Sequence, residues 1–219
     1  MTHSSPKVLF ITTPIRPVPT DFPPMGSLSV ITALRQSGWD NVHFYNIDLL
    51  RPSYPQAVDH IVAEAPDILA ISAVVSTAYD YTKKMSLDIK RRLPGITILL
   101  GGNLGASAEI VLKKTGVDFI CTGKGEQTIV DFLHCFQTAT GKANYNKVKG
   151  LAFLNEKGEL QVTPFSDPIP PENIYEIDWS ILDDLGQSKF FFPGKKDSQI
   201  IHQTFFHDLR TDEPHRQDK

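Results

Sequence analysis

Five short apolar runs punctuate the first 145 residues, and a stretch of helical character follows each one. The runs are residues 7–13, 42–47, 67–74, 96–100 and 118–122, of strand length. Residues 42–47 alternate; the others read as strands buried on both faces. Helices are expected over residues 27–37, 55–65, 79–93, 106–114 and 126–139. In the first, Leu28, Ile31, Ala33 and Leu34 recur at helical spacing and Gly38 ends it. In the third, Tyr81, Met85, Ile89 and Leu93 form one stripe, while Lys83, Lys84, Asp88, Lys90 and Arg91 take the other face. Strict βα alternation predicts an α/β fold, a flavodoxin-like (Rossmann-like), doubly wound parallel five-stranded sheet with helices on both faces. The expected strand order is 2-1-3-4-5 with right-handed crossovers.

The pattern changes after Lys147. Residues 148–154 and 159–163 flank Asn155-Glu156-Lys157-Gly158, a hairpin signal. Residues 164–171 are punctuated by proline, residues 177–182 read as a short docked segment, and no periodicity appears from Gln187 onward. Three units are expected: an α/β domain over residues 1–145, a hairpin and linker over 146–186, and an irregular or truncated tail over 187–219.

Composition narrows the function. A net charge of −3 without a basic block argues against nucleic acid. The apolar runs are too short to span a membrane, and residues 1–7 lack a signal-peptide core. Cys121 and Cys135 cannot build a disulfide scaffold and fit a reducing, cytoplasmic setting. Two cysteines are too few to ligate a typical iron–sulfur cluster. His43 and His60 stand alone; His202, His207 and His215 fall in the aperiodic tail without supporting ligands, so no metal site is expected. No nucleophile–base arrangement is visible, and no catalytic residue is assigned.

Ligands of doubly wound sheets bind beyond the carboxyl ends of the strands, near the switch point between strands one and three. The proline-rich loop 14–24, Ser72 and two glycine clusters, Gly101-Gly102-Asn103 and Gly123-Lys124-Gly125-Glu126, all fall on that edge. A sheet edge without side chains can press closely against a flat ligand, although a glycine pair also simply ends a strand. At Gly125-Glu126 the N–H groups of a starting helix could hold an anionic or polar group. The alternative is a plain turn with Glu126 favoured by the helix dipole. The Ser72 hydroxyl could bond a ring nitrogen of a ligand, or its own backbone. Ser76, Thr77 and Tyr79 extend a polar lip, and Asp48 reads as a solvated strand end. The turn after strand one carries prolines, with neither the glycine fingerprint of dinucleotide sites nor a phosphate loop. Asp21-Phe22-Pro23-Pro24-Met25-Gly26 keeps the frame D-x-H-x-x-G with proline in place of histidine.

In order along the chain stand Pro23-Pro24-Met25-Gly26-Ser27-Leu28, Pro66-Asp67-Ile68-Leu69-Ala70-Ile71-Ser72, Leu100-Gly101-Gly102-Asn103, Gly123-Lys124-Gly125-Glu126-Gln127-Thr128 and Ile177-Asp178-Trp179. This ordered set resembles the cobalamin (B12)-binding domain of the B12-dependent radical SAM enzymes, from about Lys7 to Leu185. The resemblance implies cobalamin on the carboxyl edge, its dimethylbenzimidazole tail displaced from cobalt and buried beside the sheet. It implies cofactor contacts from Pro24, Met25, Gly26, Ser72, Ala73, Val74, Ser76, Thr77, Gly101, Gly102, Asn103, Gly123, Gly125 and Glu126. Ser72 and Val74 match a serine–x–leucine motif, with valine a departure, and Gly101 and Gly102 match the pair that leaves room for the tail. Gly102→Leu is therefore expected to weaken cobalamin binding and leave the fold largely intact. Pro23 has no lone pair for cobalt, so base-off cobalamin without a histidine ligand from this loop is expected.

The family's Cys-x-x-x-Cys-x-x-Cys motif is absent from the sequence. The expected function is a cobalamin-binding module, with no iron–sulfur or SAM site and unable to cleave SAM alone, partnered by a separate radical SAM domain or subunit. Fragment, split subunit, and stand-alone corrinoid carrier or sensor stay open, as does a flavodoxin-like domain for a flavin or nucleotide.

Overall fold

A computed structural model describes residues 5–167 and 177–193. The tail histidines and most of the expected tail lie outside these residues.

The expected alternation is present. The elements run β1 (Val8–Thr12), α1 (Met25–Gln36), β2 (Val42–Tyr45), α2 (Ile47–Leu50), α3 (Tyr54–Glu64), β3 (Ile68–Ser72), α4 (Tyr79–Arg92), β4 (Thr97–Gly101), α5 (Ala108–Lys114), β5 (Phe119–Cys121) and α6 (Gly125–Thr138). The hairpin follows as β6 (Leu151–Leu154) and β7 (Leu160–Val162), then the short turns α7 (Ser180–Asp184) and α8 (Ser188–Phe191). Local chemistry explains the boundaries. Ser53 and Gln56 close a capping box on α3, and Arg91 and Arg92 sit favourably against the dipole at the end of α4. The single-turn α2 was not anticipated, because Ile47 reads as the end of a strand. Asn46 instead caps the turn, its side chain accepting the Leu49 N–H.

The strands order as β2-β1-β3-β4-β5-β6-β7. The first five are parallel in the expected order, and β6 and β7 add antiparallel beyond β5. The hairpin is thus no separate layer; it continues the sheet to seven strands. An uncovered β5 would present unpaired backbone groups at the sheet edge, and β6 satisfies them.

Alternation along each strand divides the core. Phe10, Ala70, Leu99 and Phe119 face α1 and α6, where Leu28, Ile31, Ile129 and Phe132 meet them. Trp179, Ile181 and Leu182 join this face, as expected of a docked segment. Leu9, Ile11, Leu69, Ile71, Ile98 and Leu100 pack on the other side against Val58 and Ile61 of α3, Met85 and Ile89 of α4, and Val111 of α5. In register, Thr12 lies beside Ser72 and Ser72 beside Gly101, so three short residues end the central strands side by side.

Candidate functional site

At that row of short residues a cavity of about 600 Å³ opens between the sheet and helices α1 and α6. The size suits a drug-sized ligand or part of a larger one. Phe10, Ala70 and Leu99 line it from the sheet, and Val30 and Ile129 from the helices. Thr12, Thr13, Asn46, Asp48 and Ser72 add polar groups, and the loop before α1 adds Thr20, Phe22, Pro23 and Pro24. Burial pushes the Cys121 thiol up to about 11, so this thiol is neutral at physiological pH.

Most of the expected contact residues converge here. Pro24, Met25, Gly26, Ser72, Val74, Gly101, Gly102, Asn103, Gly123, Gly125 and Glu126 all line the cavity. Ala73, Ser76 and Thr77 do not. Ala73 is buried beneath Gly102, and Ser76–Ala78 forms the turn that leads into α4 on the opposite face of the sheet.

The glycine pair divides its labour. A Cβ on Gly101 would meet nothing within 4 Å, so its bare side opens into free space at the cavity. Gly102 has φ +90°, and a Cβ there would lie 2.5 Å from the Ala73 carbonyl oxygen. Gly102 is therefore demanded by the backbone. This corrects the expectation that Gly102→Leu would spare the fold: leucine would collide with strand β3's continuation before it reached a ligand. Gly125 serves close packing, since a Cβ would sit 2.9 Å from a Val30 methyl group where α6 meets α1. Glu126 accepts a 2.7 Å hydrogen bond from the Ser29 hydroxyl, joining the starts of those two helices.

Three polar residues carry most of the site's hydrogen-bond chemistry. Ser72 presents a hydroxyl without a side-chain hydrogen bond among the described residues, and its carbonyl accepts from Thr13 Oγ1 at 3.1 Å. Ser27, in the first turn of α1, is 5 % exposed, and its hydroxyl has no partner among the described residues. Asn46 is buried; it accepts from Thr12 Oγ1 at 2.9 Å and donates to Gln187 Oε1 at 3.0 Å. Gln187 and the cavity-lining Phe191 show that the C-terminal segment reaches the site.

Asp48 departs from its expected role. It is buried, accepting N–H bonds from Ile15 at 3.4 Å and Thr20 at 3.1 Å and pairing with Arg51 at 2.6 Å. Sequence reasoning missed Thr12, Ser27, Asn46, Asp48 and Phe191. Thr12 ends β1 and Asn46 follows β2, both inside runs the sequence marks as strands, so their edge position is the available signal; Phe191 carries none. Among the described residues, no group of three His, Cys, Asp or Glu is placed to hold a metal, and no helix is long and apolar enough to cross a membrane.

Comparison with known proteins agrees with this geometry. The chain is 26 % identical over 182 residues to the anaerobic magnesium-protoporphyrin IX monomethyl ester cyclase of Synechocystis sp., covering 82 % of this chain and 35 % of that one. It is 25 % identical over 165 residues to the cyclase of the same name from Rubrivivax gelatinosus, covering 74 % and 30 %. The chain thus spans about a third of the length of these curated relatives. Among solved structures, the fold matches the cobalamin-dependent S-adenosylmethionine radical enzyme OxsB with TM-score 0.70 at 19 % identity, over 84 % of this chain and 25 % of that one. It matches the radical S-adenosylmethionine methyltransferase TsrM of Kitasatospora setae with TM-score 0.61 at 16 % identity, over 75 % and 31 %. The family model for the B12 binding domain covers residues 11–133, more than half of the sequence, and the chain belongs to that family.

Proposed function

We propose that this chain is a cobalamin-holding module that keeps the cofactor base-off, with its nucleotide tail in the cavity and its corrin ring over the carboxyl edge. The observation that carries the reading is the open flank of Gly101 on a cavity walled by Phe10, Ala70 and Leu99. A flat base needs such a smooth, apolar slot beside a sheet. The residues present fit the group: Ser27 lines the cavity and its buried hydroxyl has no partner among the described residues, and such a hydroxyl is costly unless a ligand or water pairs it. A cavity of about 600 Å³ leaves the macrocycle outside, against the exposed Phe22, Met25 and Val74.

Ser72 and Ser27 would then bond the tail, Gly101 would admit it, and Phe22, Met25 and Val74 would bear on the ring. Pro23 stands on the cavity in the place of the histidine of the D-x-H-x-x-G frame and offers cobalt no lone pair. When bound, cobalamin supplies cobalt-centred chemistry, methyl transfer in the resemblance drawn above. The chain's own part is to bind and orient the cofactor and to keep water from its tail. A partner domain or subunit would supply radical chemistry, because this sequence has no Cys-x-x-x-Cys-x-x-Cys. Whether that partner runs a cyclisation or a methylation is set by the remaining two thirds of proteins like the relatives above.

The test is an absorbance spectrum after incubation with hydroxocobalamin and desalting. Stoichiometric retention with a base-off spectrum is expected. Complete loss of corrinoid, or retention with the base still on cobalt, overturns the reading.

A further inference from the structure

We infer that Arg51 is a positioning residue: with Asp48 it clasps the proline-rich loop, and so fixes one wall of the cavity and the residence time of the cofactor. The inference rests on the cobalamin reading above.

The loop of residues 14–24 brings Thr20, Phe22, Pro23 and Pro24 to the cavity, yet it has little internal structure. Its five prolines, Pro14, Pro17, Pro19, Pro23 and Pro24, lack an N–H. Residues 15–22 make no backbone–backbone hydrogen bond among the described residues. Such a segment would sample many conformations unless side chains hold it. One ion pair does so. The Asp48 carboxylate accepts the Ile15 and Thr20 N–H groups at 3.4 and 3.1 Å. The Arg51 guanidinium donates to the Arg16 and Val18 carbonyls, each at 2.6 Å, and to Asp48 Oδ1 at 2.6 Å. Two donors of the loop flank two acceptors, and all four are gripped; the planar fork of arginine suits the paired acceptors and a lysine cannot reproduce it.

The backbone of Arg51 points the same way. It has φ 48° and ψ 46°, a left-handed conformation that favours glycine. Ala65 ends α3 with the same conformation, so the shape by itself marks a helix ending. What distinguishes Arg51 is the destination of its side chain: every described hydrogen bond of the guanidinium goes to the loop or to Asp48. Fixing a wall before the ligand arrives removes an ordering cost from binding, and such gains appear mainly in the dissociation rate.

The experiment uses the full chain as wild type, Arg51→Gly and Arg51→Lys. Glycine suits the left-handed backbone, so the fold carries no added strain. In ligand-free protein, amide hydrogen exchange is read at Ile15 and Thr20; in protein loaded with hydroxocobalamin, cofactor release is followed by absorbance. Arg51→Gly is expected to exchange those two amides about tenfold faster or more, with β1 and β4 amides unchanged, and to release cobalamin about tenfold faster. Arg51→Lys is expected to fall between the two. Wild-type exchange at the loop in Arg51→Gly overturns the clasp, and faster exchange with an unchanged release rate overturns its role in holding the cofactor. A wild-type chain that retains no cobalamin sinks the functional reading instead, while the exchange rates still decide the clasp.

Discussion

The two faces of this sheet are built from the same strands, yet one packs solid and the other opens. Leu69 and Ala70 are neighbours in β3; Leu69 joins α3, α4 and α5, while Ala70 looks toward α1 and α6 and lines the cavity. The closed face is filled by Leu9, Ile11, Ile71, Ile98 and Leu100, all long aliphatics. The open face thins toward the carboxyl edge, from the row Phe10, Ala70 and Leu99 to the row Thr12, Ser72 and Gly101. The site is therefore made by leaving volume out on one side of an otherwise ordinary core. Exchanging the two roles gives the largest effects. Leu69→Ala is expected to cost ~2–5 kcal/mol of stability, read from the denaturant midpoint, with unchanged cobalamin affinity in the folded fraction. Ala70→Leu is expected to do the reverse, leaving stability within ~1 kcal/mol and weakening cobalamin about 10-fold or more. Loss of affinity in Leu69→Ala would erase the distinction between the faces.

The glycine pair sharpens the same contrast at the scale of one residue. Gly101→Leu extends into open space from an ordinary strand backbone, so the unfolding midpoint is expected to hold while affinity falls about 100-fold. Gly102→Ala places its Cβ 2.5 Å from the Ala73 carbonyl at φ +90°. It is expected to cost ~2–4 kcal/mol of stability. Cobalamin titration beside urea unfolding separates the two, and a Gly101→Leu chain that binds as wild type removes Gly101 from the site.

What could be read from the chain, and what could not, follows from range. Strand order and the gathering of glycines at one edge are consequences of βα alternation, which is written locally in hydrophobic spacing. Gly101 and Gly102 are indistinguishable in sequence, because a positive φ and the proximity of Ala73 exist only once β3 and β4 are paired. Asp48 looked solvated because its partners Ile15 and Thr20 lie some thirty residues upstream in a loop with no period. Phe191 belongs to a single turn, too short to show any period at all. Ser76 and Thr77 lie outside the cavity lining, and their polarity marks exposure without saying which side of the sheet the turn leads to.

Smaller effects test the edges of the open face. Ser27→Ala removes a hydroxyl that has no partner among the described residues, so stability should change by less than ~0.5 kcal/mol while cobalamin affinity falls about 3- to 10-fold. An unchanged titration would leave that hydroxyl to water. The weakest lever is the dock of the C-terminal segment that brings Phe191 to the cavity. Asp178 accepts from Arg35 at 3.0 Å, and its N–H donates to Thr32 Oγ1 at 2.9 Å, fastening the segment to α1. Burial works to raise the Asp178 pKa, but hydrogen bonds from Ser180 and Arg35 outweigh it and hold the carboxyl below its ordinary value of 3.8. The docked form therefore binds fewer protons than the released form, so docking is favoured above that value and weakens as pH falls through the lowered one. Both side chains are about a third exposed, which keeps the contribution under ~1 kcal/mol. Fluorescence of the buried Trp179 should shift as pH drops below about 4, and Asp178→Asn should remove that acid step. A step that survives in Asp178→Asn would assign the acid response to another carboxylate and leave this anchor without a role in closing the open face.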